Sequence, residues 1–375
     1  MQKLIETIWP FSYQRLPDNK SSLEDPLLLS STSGLDAQTS EKLSPNLKIF
    51  STNELEKATS KFCSSNMYGK DDNGEMYKGW INERTMAATK PGKGIVVAIK
   101  KFYNYTPHTI DEWLKEIKLL GQLDHPNIVK TIGYCLENNQ FIIVSEFMPG
   151  GSLEDYLFKG KFLITWTFGM KIALGAAKGL AFLLNSEPSV LHWNYVTSFN
   201  ILLDSNYNAK ISDFRYEKVH NVDPRINGYA TPQMLMQGRY TMKSHEVYSF
   251  GVVLFEILFG RRAFDFDITE PSRNPRLVDW VCAQICRYKP KPTGKCDRDW
   301  ASDVLDKSEL LGVIDSHYKG KYPHLGAVRL FMIALACTND LPNARANIDE
   351  VVEALQWLQE KKERTEQNQF SSFQL

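Results

Sequence analysis

The spacing of apolar residues along this chain changes near residue 150. Before that point short strand-like runs dominate, namely EMYKGWI, GIVVAIKKFY and NQFIIVSEF. One segment, TIDEWLKEIKLLGQL, has its apolar residues at helical spacing instead: Ile110, Trp113, Leu114, Ile117 and Leu120. This pattern predicts a small antiparallel sheet with one helix packed on it.

From about residue 152 onward the apolar spacing is that of helices. The longest such runs are FGMKIALGAAKGLAFLL, EVYSFGVVLFEILFG, LGAVRLFMIALACT and IDEVVEALQWLQEKK. The predicted fold class is therefore α+β, with a sheet lobe, a hinge near Phe147 to Gly151 and a mostly helical second lobe.

The two ends of the chain are polar. Residues 12 to 46 are rich in Ser, Pro, Asp, Asn and Lys, so burial cannot offset the entropy of ordering them. We predict a disordered arm at residues 1–47 and a polar tail at residues 361–375. A short helix is predicted after the arm in FSTNELEKATSKF. Its first turn can be capped by Ser51 or Thr52, and one face carries Leu55, Ala58 and Thr59.

Charge and composition limit the function classes. The chain has 44 Lys plus Arg and 44 Asp plus Glu, so it has no excess of positive charge to attract nucleic acid, and no nucleic-acid partner is expected. The N-terminus lacks the pattern of a signal peptide, and we expect no run long enough to span a bilayer. A cytoplasmic protein with free cysteines is therefore expected.

Several strings, in this order, resemble plant receptor-like cytoplasmic kinases of the serine/threonine type: VAIKKF, KEIKLLGQLDHPNIVKTIGYC, VSEFMPGGSLEDYLF, NILLD, SDF, GYATP and VYSFGVVLFEILFGRRAFD. The resemblance implies a two-lobed protein kinase-like domain at residues 48–360. Its N-lobe would span residues 48–148 and its C-lobe residues 149–360. Because folds host many functions, the activity must be argued from the site.

The resemblance implies a glycine-rich loop over the phosphates of ATP in GKDDNGEMYKG. Gly69 and Gly74 match the first and third glycines, and Asp71 replaces the second, where its carboxylate would repel phosphate. An ordinary polar hairpin is the alternative interpretation.

Other residues match the family's nucleotide pocket. Lys100 matches the lysine that contacts the phosphates and Glu116 the helix glutamate that pairs with it, although the same pair also stabilises the lobe itself. By the same resemblance the adenine ring would meet the hinge and two apolar walls, formed by Glu146, Met148, Ala98 and Leu202.

The catalytic loop departs from the family pattern. In SVLHWNYVTSFNILLD, counting forward from His192 places Asn194 at the position of the catalytic aspartate, whereas counting back from Asn200 places Tyr195 there. Neither residue supplies a carboxylate to accept the proton of a substrate hydroxyl. Losing a general base costs about 10²- to 10⁴-fold in rate.

The magnesium ligands of the family are matched by Asn200 and Asp213. Asp213 lies in DFR, where the family has DFG, and the guanidinium of Arg215 can pair with Asp213 and compete with the metal. We therefore expect weak binding of ATP and magnesium at most.

Three further departures lie around this loop. Gln233 replaces a glutamate that pairs with an arginine, matched by Arg345, and glutamine can still form a hydrogen bond. Glu246 replaces an aspartate that braces the catalytic loop. The segments before Asn200 and before Glu246 each carry one extra residue, and we expect them to meet and compensate each other.

The resemblance, with these losses, predicts a pseudokinase acting as a scaffold, adaptor or decoy. By family analogy its partners would be signalling kinases or immune receptors of a plant cell. The alternatives are a weakly active serine/threonine kinase and an ATP-binding switch without turnover. Gln2 follows the first methionine and no cysteine precedes Cys63, so no lipidation signal is expected at the N-terminus, and partners would be the route to the plasma-membrane periphery.

Overall fold

The computed structural model describes residues 47–71, 74–103, 110–138, 140–160, 164–186, 196–212, 224–237, 242–265, 276–288, 311, 314, 318 and 321–372. Apart from Leu47, the predicted disordered arm lies outside these residues. Elements are numbered over the described part of the chain.

The N-lobe contains a sheet of six strands in the order β1-β5-β6-β4-β3-β2. The strands are β1 (Lys48–Ile49), β2 (Met67–Asp71), β3 (Gly74–Ile81), β4 (Ile95–Phe102), β5 (Thr131–Glu137) and β6 (Gln140–Glu146). Strand β1 pairs with β5 in parallel, and all the other pairs are antiparallel. The predicted antiparallel sheet is thus present, with one parallel strand added at its edge.

A helix covers each face of this sheet. Helix α1 (Thr52–Thr59) is capped by Ser51, which forms a reciprocal capping box with Glu54. The helix buries Leu55 and Ala58 in an apolar cluster on one face of the sheet, which we call the outer core. Helix α2 (Ile110–Leu120) packs Trp113 and other apolar side chains on the opposite face. The predicted helical faces are confirmed except at Ile110, the first residue of α2, which is 53% exposed.

The C-lobe is mostly helical. Its helices are α3 (Leu153–Phe158), α4 (Trp166–Asn185), α5 (Pro232–Gln237), α6 (Met242–Phe259), α7 (Leu277–Tyr288), α8 (His324–Cys337) and α9 (Ile348–Ser372). A small antiparallel sheet of β7 (Gly151–Ser152), β8 (Ile201–Leu203) and β9 (Ala209–Ile211) faces the hinge. Helix α9 continues through much of the polar segment at 361–375, up to Ser372.

The expectation that no run is long enough to span a bilayer is wrong for α4. This helix has 20 residues and is apolar enough, by length and composition, to cross a membrane. Most of its side chains are buried within the lobe, as in the central helix of a globular core. Its apolar composition therefore reflects packing against α6 and α9.

Candidate nucleotide-binding and catalytic site

Strand β4 forms one wall of the cleft. Ala98 pairs with Ser145 of β6, and Lys100 pairs with Ile143. Because alternate residues of a strand face opposite sides, and Val97 is buried in the outer core, Ala98 and Lys100 face the cleft. The strand thus places both predicted residues on the surface that a nucleotide would contact.

The side chain of Lys100 faces the side of the sheet on which α2, the helix that carries Glu116, is packed. Lys100 is on β4, and its ammonium group lies 5.8 Å from the centroid of the Phe102 ring. Glu116 is on α2, which packs on the cleft side of the same sheet. Their ion pair, which the family resemblance implies, stays a prediction.

The glycine-rich segment is a hairpin of β2 and β3. Asp71 pairs with Gly74 at the ends of the two strands, and residues 72 and 73 lie outside the described residues. A Cβ at Gly74 would collide with the backbone carbonyl of Lys101 on β4, so close strand packing alone requires glycine there. Gly69 faces the side chain of Met76, which is flexible.

On the outer face of the hairpin, side chains hold the two strands together. The Nζ of Lys70 lies 3.6 Å from Oε1 of Glu75. The Tyr77 hydroxyl donates a hydrogen bond of 2.7 Å to Oε2 of the same carboxylate. Burial and the Glu75 carboxylate raise the pKa of Tyr77 to about 12. These contacts support the alternative interpretation of the segment as a polar hairpin.

At the hinge, the side chain of Glu146 connects the two lobes. Lys210 of β9 donates to both carboxylate oxygens at 2.7 and 2.9 Å, and the backbone N–H of Lys130 donates at 2.7 Å. The Glu146 side chain is therefore committed to the lobe connection, which leaves its backbone as the part that would meet an adenine ring.

The remaining predicted adenine contacts surround the same hinge. Met148 is buried, and its carbonyl accepts the N–H of Gly151 at 3.2 Å. Leu202 lies on β8, between Ser152 of β7 and Lys210 of β9. The apolar walls implied by the family, Ala98 and Leu202, thus come from different lobes.

The catalytic loop is described only from Val196 onward, so Asn194 and Tyr195 lie outside the described residues. The side-chain oxygen of Asn200 accepts the backbone N–H of Thr197 at 2.8 Å, and Asn200 is only 4% exposed. One lone pair of the predicted magnesium ligand is therefore used within its own turn. The second predicted ligand, Asp213, also lies outside the described residues.

Below this turn, Glu246 of α6 is buried against the catalytic segment. The backbone N–H of Val196 donates to Ser249 Oγ at 3.1 Å, and it also contacts the Glu246 carboxyl. Burial raises the pKa of the Glu246 carboxyl well above its usual range. No cation among the described residues lies beside the carboxyl to lower its pKa again. The two segments with extra residues do meet, as expected, whereas their mutual compensation stays a prediction.

A second buried carboxyl on α6 was missed by sequence reasoning. Glu256 accepts a hydrogen bond of 2.8 Å from the Tyr229 hydroxyl and one of 2.9 Å from the Ala263 N–H. Ser198, in the catalytic segment, lies 3.0 Å from the same hydroxyl. Burial raises the pKa of Glu256 to about 7. The available signal was a single acidic residue within the apolar run SFGVVLFEILF.

The predicted hydrogen bond between Gln233 and Arg345 is confirmed. Arg345 donates to Gln233 Oε1 at 3.0 Å and to the carbonyls of Ser244 and Asn339 at 2.9 and 2.8 Å. The Gln233 amide also donates to the carbonyl of Asp340, which a glutamate could not do. A neutral amide thus suits this junction of α5, α6 and the loop after α8.

The sequence is similar to known kinases. The family described as protein tyrosine and serine/threonine kinase matches residues 63–355. The chain is 43% identical over 328 residues to the probable serine/threonine-protein kinase PBL10 of Arabidopsis thaliana, covering 84% of this chain and 74% of that protein. It is 40% identical over 330 residues to receptor-like cytoplasmic kinase 176 of Oryza sativa subsp. japonica, covering 85% and 78%.

Proposed function

We propose that this chain, which belongs to the protein tyrosine and serine/threonine kinase family, is a pseudokinase that acts by binding rather than by phosphoryl transfer. One observation carries the proposal. The segment HWNYVTSFN, from His192 to Asn200, contains no aspartate or glutamate in either register of the catalytic loop. The site therefore has no general base to orient and deprotonate a substrate hydroxyl.

The surroundings of the loop support the same conclusion. The buried carboxyl of Glu246 has no cation beside it in the part of the chain that the structure describes, and burial raises its pKa well above the usual range. Val196 in one register, or Thr197 in the other, stands where the family has a lysine, and both residues are buried. A kinase-like fold thus surrounds a segment that lacks the lysine and the aspartate of the family's loop.

The proposed role is that of a scaffold, adaptor or decoy in the plant cytoplasm. By analogy with the family, its partners would be signalling kinases or immune receptors. ATP and magnesium would bind weakly, because the side-chain oxygen of the predicted ligand Asn200 already accepts a hydrogen bond. In addition, Arg215 replaces the glycine two residues after Asp213, and its guanidinium can compete with the metal for that carboxylate.

The second candidate is a slow serine/threonine kinase or a nucleotide-binding switch. Lys100 on the cleft face of β4 and Glu116 on α2 favour it, because positioning and electrostatics supply much of the catalysis of phosphoryl transfer.

Phosphotransfer from radiolabelled ATP to a generic acceptor protein tests the proposal. We expect wild-type protein to match the Lys100→Ala variant at background. Asn194→Asp and Tyr195→Asp would each restore a carboxylate in one register, and a gain in only one of them would identify the register. Wild-type transfer that Lys100→Ala abolishes would instead establish the slow kinase.

A further inference from the structure

A bulge in β2 directs one aromatic side chain towards the hinge. The register of β2 on β3 shifts between Met67 and Gly69, so that Tyr68 is an extra residue on its strand. Such a bulge bends the strand and redirects the side chain of the extra residue. The ring of Tyr68 lies 5.4 Å from the ring of Phe147 in the hinge, with the two planes at 87°. This edge-to-face geometry is favourable for two aromatic rings.

A cation from a third element joins this contact. The ammonium group of Lys78 on β3 lies 5.1 Å from the centroid of the Phe147 ring. Lys78 faces the cleft, because its neighbour Tyr77 is buried in the outer core and alternate strand residues face opposite sides. Lys78 also pairs with Ala98, the predicted upper wall of the adenine pocket. Tyr68, Lys78 and Phe147, which we call the aromatic latch, thus meet at the mouth of the cleft.

We propose that the aromatic latch holds the glycine-rich hairpin against the hinge and thereby lowers the affinity of the cleft for planar heteroaromatic ligands, of which a nucleotide base is one. A base that enters between Ala98 and Leu202 must separate β2 from the hinge. Its binding therefore breaks the ring pair and the cation–π contact, which costs about tenfold in affinity. The inference concerns the pocket of the proposed pseudokinase and deepens that proposal.

Calorimetric titration with ADP and with adenosine tests the latch. The Tyr68→Leu variant removes the ring pair but keeps an apolar side chain and the contact of Lys78 with Phe147, so we expect it to bind both ligands about threefold more tightly than wild type. The gain is the same for both ligands, because the latch controls access of the base and does not contact the phosphates. The Tyr68→Phe variant keeps the ring and is expected to bind as wild type does.

A double-mutant cycle separates the latch from a general loosening of the lobe. Phe147→Leu alone removes both contacts and gives the full gain of about tenfold. The double variant gains no more than Phe147→Leu, because Tyr68 has then already lost its ring partner. Tyr103→Leu is the matched control, because Tyr103 lies near Lys70 on the outer face of the same hairpin. It leaves both affinities unchanged, and thermal melting confirms that each variant is folded.

The latch is overturned if Tyr68→Leu binds the ligands with the same affinity as wild type or more weakly. It is also overturned if no folded variant shows measurable binding. Additive gains in the double variant overturn it as well. Phosphotransfer assayed on the same samples decides the proposed function separately, because a catalytically active wild type would refute the pseudokinase and leave the affinity comparison intact.

Discussion

The hinge and the floor of the catalytic loop hold their carboxylates in opposite ways. At the hinge, Glu146 and Lys210 form a charged pair whose side chains are 29% and 17% exposed. Below the catalytic loop, Glu246 and Glu256 are almost completely buried, and among the described residues they accept hydrogen bonds from hydroxyl and backbone N–H groups. An ionised carboxylate is tolerated near water beside a cation, whereas burial without a cation favours the neutral acid.

This difference shows which part of a kinase the chain keeps. The pair at the hinge connects the lobes and is ionic, as in a site open to solvent. The floor has the shape of a kinase core, and its buried carboxyls accept hydrogen bonds from hydroxyl and backbone N–H groups in place of a cation. The chain thus keeps both the connection between the lobes and the shape of the floor, but holds the carboxyls of the two places by different means.

The strongest test of the contrast removes a buried carboxyl. Glu256→Ala leaves the Tyr229 hydroxyl and the Ala263 N–H without their partner, and we expect the free energy of unfolding in urea to fall by about 4 kcal/mol. Glu256→Gln keeps the shape and an acceptor oxygen and should cost less than about 1 kcal/mol. Equal losses in both variants would mean that charge, rather than hydrogen bonding, matters at this position.

The next test uses the pH dependence of stability. Burial raises the pKa of Glu256 in the folded protein to about 7, from its ordinary value of about 4.5. Because the pKa is higher in the folded state, the unfolded state loses this proton first as the pH rises. The free energy of unfolding therefore falls by about 3 kcal/mol between about pH 4.5 and pH 7 for this group. Urea unfolding at pH 5 and pH 8 measures the fall, which Glu256→Gln should reduce. An unchanged fall in Glu256→Gln would show that Glu256 does not titrate in this range.

The smallest effect is expected at the hinge. Lys210→Met removes the cation but keeps an apolar side chain of similar length, and we expect a loss of about 1 kcal/mol that shrinks as salt is added. Lys171→Met, which removes a lysine of α4 that donates to the backbone carbonyl of Asn206 and not to a carboxylate, is the matched control with a smaller change. If the loss in the free energy of unfolding were well above about 1 kcal/mol and independent of salt, the pair of Glu146 and Lys210 would behave like a buried interaction. The hinge and the floor would then not differ in how they hold their carboxyls.

Local chemistry explains which parts of the fold were predictable. The capping box of α1 depends on Ser51 and Glu54, three residues apart, and could be anticipated from Ser51 alone as a cap. The alternation of Val97, Ala98 and Ile99 likewise follows from the period of a strand. Ile110 has the spacing of the buried face but is the first residue of α2, where the core ends, and its side chain is exposed. The spacing of apolar residues alone does not show where along a helix the core ends.

The candidate site was predictable to the extent that it resembles a family. Matching motifs identified Ala98, Lys100 and Leu202. The structure places the first two on one face of β4 and the third on β8 of the other lobe, and their shared contact with a nucleotide stays a prediction. The contacts of Glu256 with Tyr229, 27 positions earlier in the chain, follow no spacing rule, because they depend on how α6 packs under the loop before α5.

The sequence by itself determined the two lobes, the order of their elements and the absence of a carboxylate from the catalytic loop. Each of these depends on residue identity and on spacing along one segment. Only the tertiary structure decided the burial that raises the pKa of Glu246 and Glu256, the commitment of the Glu146 side chain to Lys210, and the meeting of Tyr68 with the hinge. Those properties depend on burial and on distances between segments far apart in the chain, which composition and periodicity do not encode.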